Sequence, residues 1–115
     1  LMDAWKLAND PRYPARARVL IEDWLDFMER QDPALPWHPN DNHLNLVIRI
    51  GNSCFSGWAG ALYEWGGAPP FDAAFVLRVI RSIETQIDGL LARGLCPSGN
   101  QRLADLDTIL LTGLR

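Results

Sequence analysis

The stretch DAAFVLRVIRSIETQIDGLLARG, from Asp72 to Gly94, decides the fold class. Its apolar residues recur at intervals of three and four, which is the spacing of one buried helix face. The residues on this face are Phe75, Val76, Val79, Ile80, Ile83, Ile87, Leu90 and Leu91. Asp72 is a residue type that caps the start of a helix, and Gly94 is one that ends it. The stretch therefore predicts a single amphipathic helix that starts after Asp72 and runs to about Arg93.

The chain to either side of this helix shows the same spacing, and no sustained alternation predicts a strand. We predict four more helices, at about residues 2–8, 13–31, 43–65 and 100–111. On the second and the last of the five helices, core positions are predicted at Leu20, Ile21, Trp24, Leu25, Met28, Leu103, Leu106, Ile109 and Leu110. The sequence thus predicts one all-α domain over residues 1–115. It consists of antiparallel helical hairpins that form either a bundle or a slice of an α/α solenoid or toroid.

Composition and charge limit the classes of partner. The 115 residues are 48% hydrophobic and 22% charged, as in an ordinary globular domain. Eleven basic residues against fourteen acidic ones give a net charge of -3, and no Lys/Arg cluster forms a stripe that could follow phosphates. The longest uncharged stretch, residues 50–63, is too short and too polar for a membrane span of about 20 apolar residues. No phosphate-binding glycine loop occurs. We therefore expect no nucleic-acid partner, no membrane insertion and no cofactor.

The predicted helix over residues 43–65 carries two stripes. One is apolar and consists of Val47, Ile50, Cys54, Trp58, Ala61 and Trp65. The other is polar and consists of Asn45, Arg49, Asn52, Ser56 and Tyr63. A solvated helix face is usually rich in Lys and Glu, whereas amides, hydroxyls and an arginine suit a carbohydrate or a carboxylate ligand. We interpret the polar stripe as a ligand-binding face, with a solvated face as the alternative.

One tryptophan is a candidate for ligand binding. Trp37 lies in a proline-rich segment, residues 32–42, beside the polar stripe. Aromatic faces pack against sugar rings, so we expect Trp37 to stack on a ligand. Trp24 and Trp58 instead fall on apolar stripes, and we predict that both belong to the core.

Histidines and cysteines show no pattern of a metal or redox site. His38 and His43 do not have the spacing of ligands on one helix face. Cys54 and Cys96 belong to no Cys-x-x-Cys motif. We expect no bound metal and interpret the two cysteines as small buried residues, with a disulfide between them as the alternative.

Several short motifs occur in order along the chain: ANDPRY (8–13), EDWL (22–25), Trp37, LNLVIR (44–49), SGNQRL (98–103) and LLTGL (110–114). Together they resemble the N-terminal helical domain of the heparinase II/III-like polysaccharide lyases. The resemblance extends over nearly the whole chain. Asn45 stands where that family usually has a glutamate, and Gln101 stands where a histidine or an aromatic residue often follows the asparagine.

The resemblance implies an incomplete α/α toroid followed by a C-terminal β-sandwich domain. We therefore expect this chain to be a piece of a longer bacterial protein that is periplasmic or secreted, and the β-sandwich to be missing from it. The implied activity is β-elimination at a uronic acid of an acidic polysaccharide or oligosaccharide.

The resemblance also implies roles for individual residues. Asn100 would neutralise the substrate carboxylate, Arg49 would hold it and Trp37 would stack on the sugar. Further substrate contacts are expected from Asn45, Asn52, Tyr63 and Arg102. The tyrosine and histidine that act as acid and base are expected beyond Arg115, so this chain alone should be inactive. The alternative is a non-catalytic helical module that binds protein or glycan.

Overall fold

The computed structural model describes residues 2–30, 43–51, 56–94 and 99–114. The helices are α1 (Met2–Ala8), α2 (Arg12–Glu29), α3 (His43–Ile50), α4 (Gly57–Trp65), a short 3-10 helix (Pro69–Phe71), α5 (Ala73–Arg93) and α6 (Gly99–Leu114). Every regular element in these ranges is helical, which confirms the all-α prediction, while the toroid remains a prediction. The helices that the structure describes are all too short or too polar to cross a lipid bilayer.

The predicted ends of α5 are confirmed. The Asp72 carboxylate accepts a hydrogen bond from the backbone N–H of Phe75 at 3.0 Å, and Gly94 ends the helix with φ of 84°. The buried line of the helix consists of Phe75, Val79, Ile83, Gln86 and Leu90. The prediction was wrong for Ile80 and Leu91, which are exposed. Both lie at the edge of the apolar face of the helix. The polar Gln86, in contrast, is among the buried residues.

The prediction of one helix over residues 43–65 was wrong, because two glycines interrupt it. α3 ends at Ile50, and α4 begins at Gly57. Gly51 has φ of 116° and Gly57 has φ of 54°, which glycine adopts without steric cost. The backbones also approach closely here, since a Cβ on Gly57 would lie 2.5 Å from the backbone N of Gly51. The two predicted stripes therefore do not run along one helix face.

Aromatic side chains connect the helices through the core. The Trp24 and Trp58 rings meet edge to face at 5.1 Å, which joins α2 to α4. Trp58 is buried, and Trp24 packs against the core from a partly buried position, so the prediction that both belong to the core is confirmed. A second series of ring contacts runs through Trp5, Trp65, Phe71 and Phe75.

The orientation of α6 differs from the prediction. Leu103, Leu106 and Leu110 are 66%, 45% and 60% exposed, whereas Asp105 and Thr108 are fully buried. Of the four predicted core residues of this helix, only Ile109 packs against the core. The leucine line is offset by two residues from the buried line, which is about 200° around a helix. α6 packs against α3, and Asp105 and Thr108 lie on its buried face.

Candidate functional site

Arg49 on α3 occupies an aromatic and amide environment. Its guanidinium carbon lies 4.2 Å from the centroid of the Trp24 ring and 6.0 Å from that of Trp58. Its Nε donates a hydrogen bond to Oε1 of Gln86 at 2.8 Å. Cation–π contact and a hydrogen bond thus hold the same side chain from α2, α4 and α5. Arg49 is half-buried and fixed in direction.

Gln86 extends this network into the core. Its side chain is fully buried, and its Nε2 donates to Oγ of Ser82 at 3.1 Å. A buried amide requires partners for both its oxygen and its nitrogen, and here Arg49 supplies the donor and Ser82 the acceptor. Sequence reasoning missed Gln86. The available signal was a polar residue three positions after Ile83 and four before Leu90, both of which are core residues.

The structure brings together the two helices that carry four of the predicted site residues. α3 packs against α6. Asn45 and Arg49 lie one turn apart on α3, and Asn45 is exposed. Asn100 lies in the first turn of α6, although its side chain falls outside the described part of the structure. Arg102 follows on the same helix and is exposed.

Other predicted residues lie outside the described residues. These are Trp37 and Asn52 of the substrate site, His38, Cys54 and Cys96, together with the side chains of His43 and Gln101. Within the described ranges, no three His, Cys, Asp or Glu side chains are grouped closely enough to hold a metal ion.

Tyr63 lies at a separate place, in the wall of a cleft. It is 79% exposed on α4, five residues from Trp58 and therefore about 140° away around the helix. The cleft has a volume of about 720 Å³ and lies between α4, α5 and α6. Most of its lining is apolar: Ala59, Leu62, Val76, Ile80, Ile83, Ile87 and Ile109. Glu84 and Asp88 also line it.

Two arginines join α2 to the beginning of α5. Arg18 contacts Asp72 at 2.8 Å, and Arg78 contacts Asp26 at 2.6 Å and Glu29 at 2.7 Å. The backbone N–H of Phe75 and the Arg18 guanidinium lower the pKa of Asp72 below its ordinary value, because both stabilise the carboxylate. These ion pairs are engaged within the fold, so we assign them a structural role.

Comparisons of the chain with family models, with curated proteins and with solved structures find no match.

Proposed function

We propose that this chain is the part of a polysaccharide lyase that binds a uronic acid and neutralises its carboxylate during β-elimination. The observation that supports the proposal is the packing of α3 on α6. The predicted substrate residues Asn45 and Arg49 are on α3, and Asn100 and Arg102 are on α6. The lyase resemblance assigns carboxylate binding to two of these four residues, one on each helix.

β-Elimination explains why such a site needs fixed donors. A base removes the proton from the carbon beside the carboxylate. The released electron pair forms a carbon–carbon double bond while the bond to the glycosidic oxygen breaks, and that oxygen takes a proton. Because the neighbouring carboxylate is negative, the first proton is only weakly acidic. Donors directed at the carboxylate stabilise the enolate-like state and lower the barrier.

In this proposal, Asn100 supplies the neutral donor. It lies in the first turn of α6, where backbone N–H groups without helix partners and the positive end of the dipole favour an anion. Arg102 lies two residues further along the same helix, about 200° around it, and contributes positive charge near the site without a direct contact. Arg49 acts as a fixed cation, since Trp24 and Gln86 hold its guanidinium in one orientation.

The base and the acid are proposed to lie outside residues 1–115, together with a β-sandwich domain. Tyr63 is not assigned to either role, because it lines the cleft between α4, α5 and α6. A periplasmic or secreted location belongs to the same proposal.

Titration calorimetry with acidic oligosaccharides tests the proposal on this chain. Oligosaccharides of heparan type and of alginate type are the probes, and a neutral oligosaccharide of equal length is the control. We expect an acidic probe to bind and no unsaturated product to form. Asn100→Asp retains the shape of Asn and is compatible with the first turn of a helix, but it places a negative charge against the carboxylate. Loss of the charged hydrogen bond should weaken binding by about tenfold to a hundredfold.

A matched pair of arginine variants provides the second readout. Arg102→Ala should weaken binding of the acidic probe, whereas Arg16→Ala on α2 should leave it unchanged, although both variants remove one positive charge from an exposed position. Equal affinity for the neutral and acidic probes would refute the proposal. Binding that Asn100→Asp does not alter would refute the role of Asn100.

A further inference from the structure

The cleft between α4, α5 and α6 has a floor and walls of aliphatic side chains. Ile83 is buried, and partial burial is shared by Val76, Ile87 and Ile109. Ile80 is 48% exposed at the margin of the cleft. Its volume of about 720 Å³ lies within the range of ligand-binding sites. Small-molecule sites also contain several converging polar groups that orient the ligand. Here the charged groups are two carboxylates at the edge, which favours a long apolar occupant with positive charge beside it.

Those two carboxylates belong to Glu84 and Asp88, one helical turn apart on α5. Both are exposed. Among the residues that the structure describes, neither forms an ion pair. The acidic residues that face α5 from α2 differ, because Asp26 and Glu29 are paired with Arg78. The cleft therefore has two carboxylates available at its edge.

We propose that this cleft binds an amphipathic α-helix of a partner protein. Leucine-type side chains of the partner fill the apolar floor, and Lys or Arg residues beside that apolar stripe pair with Glu84 and Asp88. Tyr63 at the mouth supplies a large, exposed aromatic surface of the kind that is enriched in protein interfaces. The same carboxylates repel an acidic polysaccharide, so this surface is distinct from the proposed substrate site on α3 and α6.

A pair of synthetic peptides tests the proposal. The first has leucines at positions i, i+3, i+4 and i+7 of a helix and lysines flanking them, and the second has glutamates in place of the lysines. Fluorescence anisotropy with labelled peptides measures their affinity for the 115-residue chain. We expect the lysine peptide to bind at least tenfold more tightly than the glutamate peptide. Added salt should reduce this difference, because it screens exposed charges.

Matched substitutions locate the binding surface. Asp88→Lys should weaken binding of the lysine peptide about tenfold, whereas Asp23→Lys, an equal change of charge on α2, should not. Ile80→Asp places a charge in the cleft and should weaken binding about thirtyfold or more. Leu103→Asp, on the exposed line of α6 outside the cleft, is its control. All four residues are exposed, so circular dichroism should report an unchanged fold.

Three outcomes would overturn the proposal. The first is equal affinity for the two peptides. The second is an effect of Asp88→Lys no larger than that of Asp23→Lys. The third is self-association of the chain, measured by sedimentation equilibrium. This outcome counts if Ile80→Asp abolishes the self-association and the lysine peptide does not compete with it. In that case the occupant of the cleft is a second copy of this chain.

Discussion

Replacing Thr108 by valine should stabilise the protein, although most core substitutions destabilise. The Thr108 side chain is fully buried on the face of α6 that turns inward. Within the described part of the structure, its Oγ1 has no hydrogen-bond partner. Valine has nearly the same shape and carries no hydroxyl to desolvate. Burying a hydroxyl without a partner costs about 1–3 kcal/mol, so Thr108→Val should raise the free energy of unfolding by about 1–2 kcal/mol.

Urea denaturation and thermal melting measure this change. For a chain of this size, the gain corresponds to a rise of about 4–8 °C in Tm. Thr85→Val on α5 is the matched control. Its residue is exposed, and its hydroxyl donates to the backbone carbonyl of Arg81, so the change should stay within about 0.5 kcal/mol. Helix propensity is similar for Thr and Val and cancels between the two variants. A loss of stability in Thr108→Val would refute the reasoning, because it would mean that the hydroxyl is satisfied.

Three further perturbations test the capping, polar and glycine features of the fold. Because the pKa of Asp72 is lowered in the folded protein, its carboxylate stabilises the fold at pH values above the unfolded-state pKa of about 3.9, and this stabilisation is lost as the pH falls below that pKa. Asp72→Asn should therefore flatten the dependence of Tm on pH in that acidic range. Gln86→Leu removes the acceptor for Arg49 Nε and should lower the free energy of unfolding by about 1–2 kcal/mol, although leucine is more apolar. A double-mutant cycle with Arg49→Met should show coupling between the two substitutions, and additive effects would contradict the hydrogen bond. In Gly57→Ala the added Cβ lies 2.5 Å from the backbone of Gly51, so chemical denaturation should show a loss of about 3 kcal/mol or more in the free energy of unfolding. Gly67→Ala, at a position with φ of 89° and open space, should lose only about 1 kcal/mol, and equal losses would rule out the steric contact.

The sequence predicted helix ends correctly where a residue type strongly favours one structural position. Asp72 before an amphipathic stretch and Gly94 after it define both ends of α5, and the structure confirms them. The break after α3 was also encoded locally, because Gly51 directly follows Ile50, where a glycine commonly ends a helix. The apolar spacing continues across the break, and this made residues 43–65 look like one helix.

Tertiary packing determines which face of α6 is buried, and the spacing of residues in the sequence does not. On α6, the leucine line and the line of Asp105, Thr108 and Thr112 have the same spacing, so periodicity does not choose between them. Hydrophobicity favours the leucines, but the buried face of α6 is the one that carries Asp105 and Thr108. Arg49 as a substrate residue stays a prediction. Its contacts with Trp24 and Gln86 come from distant parts of the chain, so no neighbouring residue in the sequence signalled them.

The seven residues of α1 in this chain need packing against other helices to stay helical. α1 contains seven residues, fewer than an isolated helix needs to persist in water. It is attached where the Trp5 ring meets Trp65 at 6.1 Å and where Trp5 Nε1 donates to Glu64 at 3.2 Å. Local opening at these contacts requires no unfolding of α5, so amide hydrogens in α1 should exchange with solvent well before those of α5. Each opening would expose the Trp65 ring, so among the described helices a protease should cleave α1 before it cleaves α5.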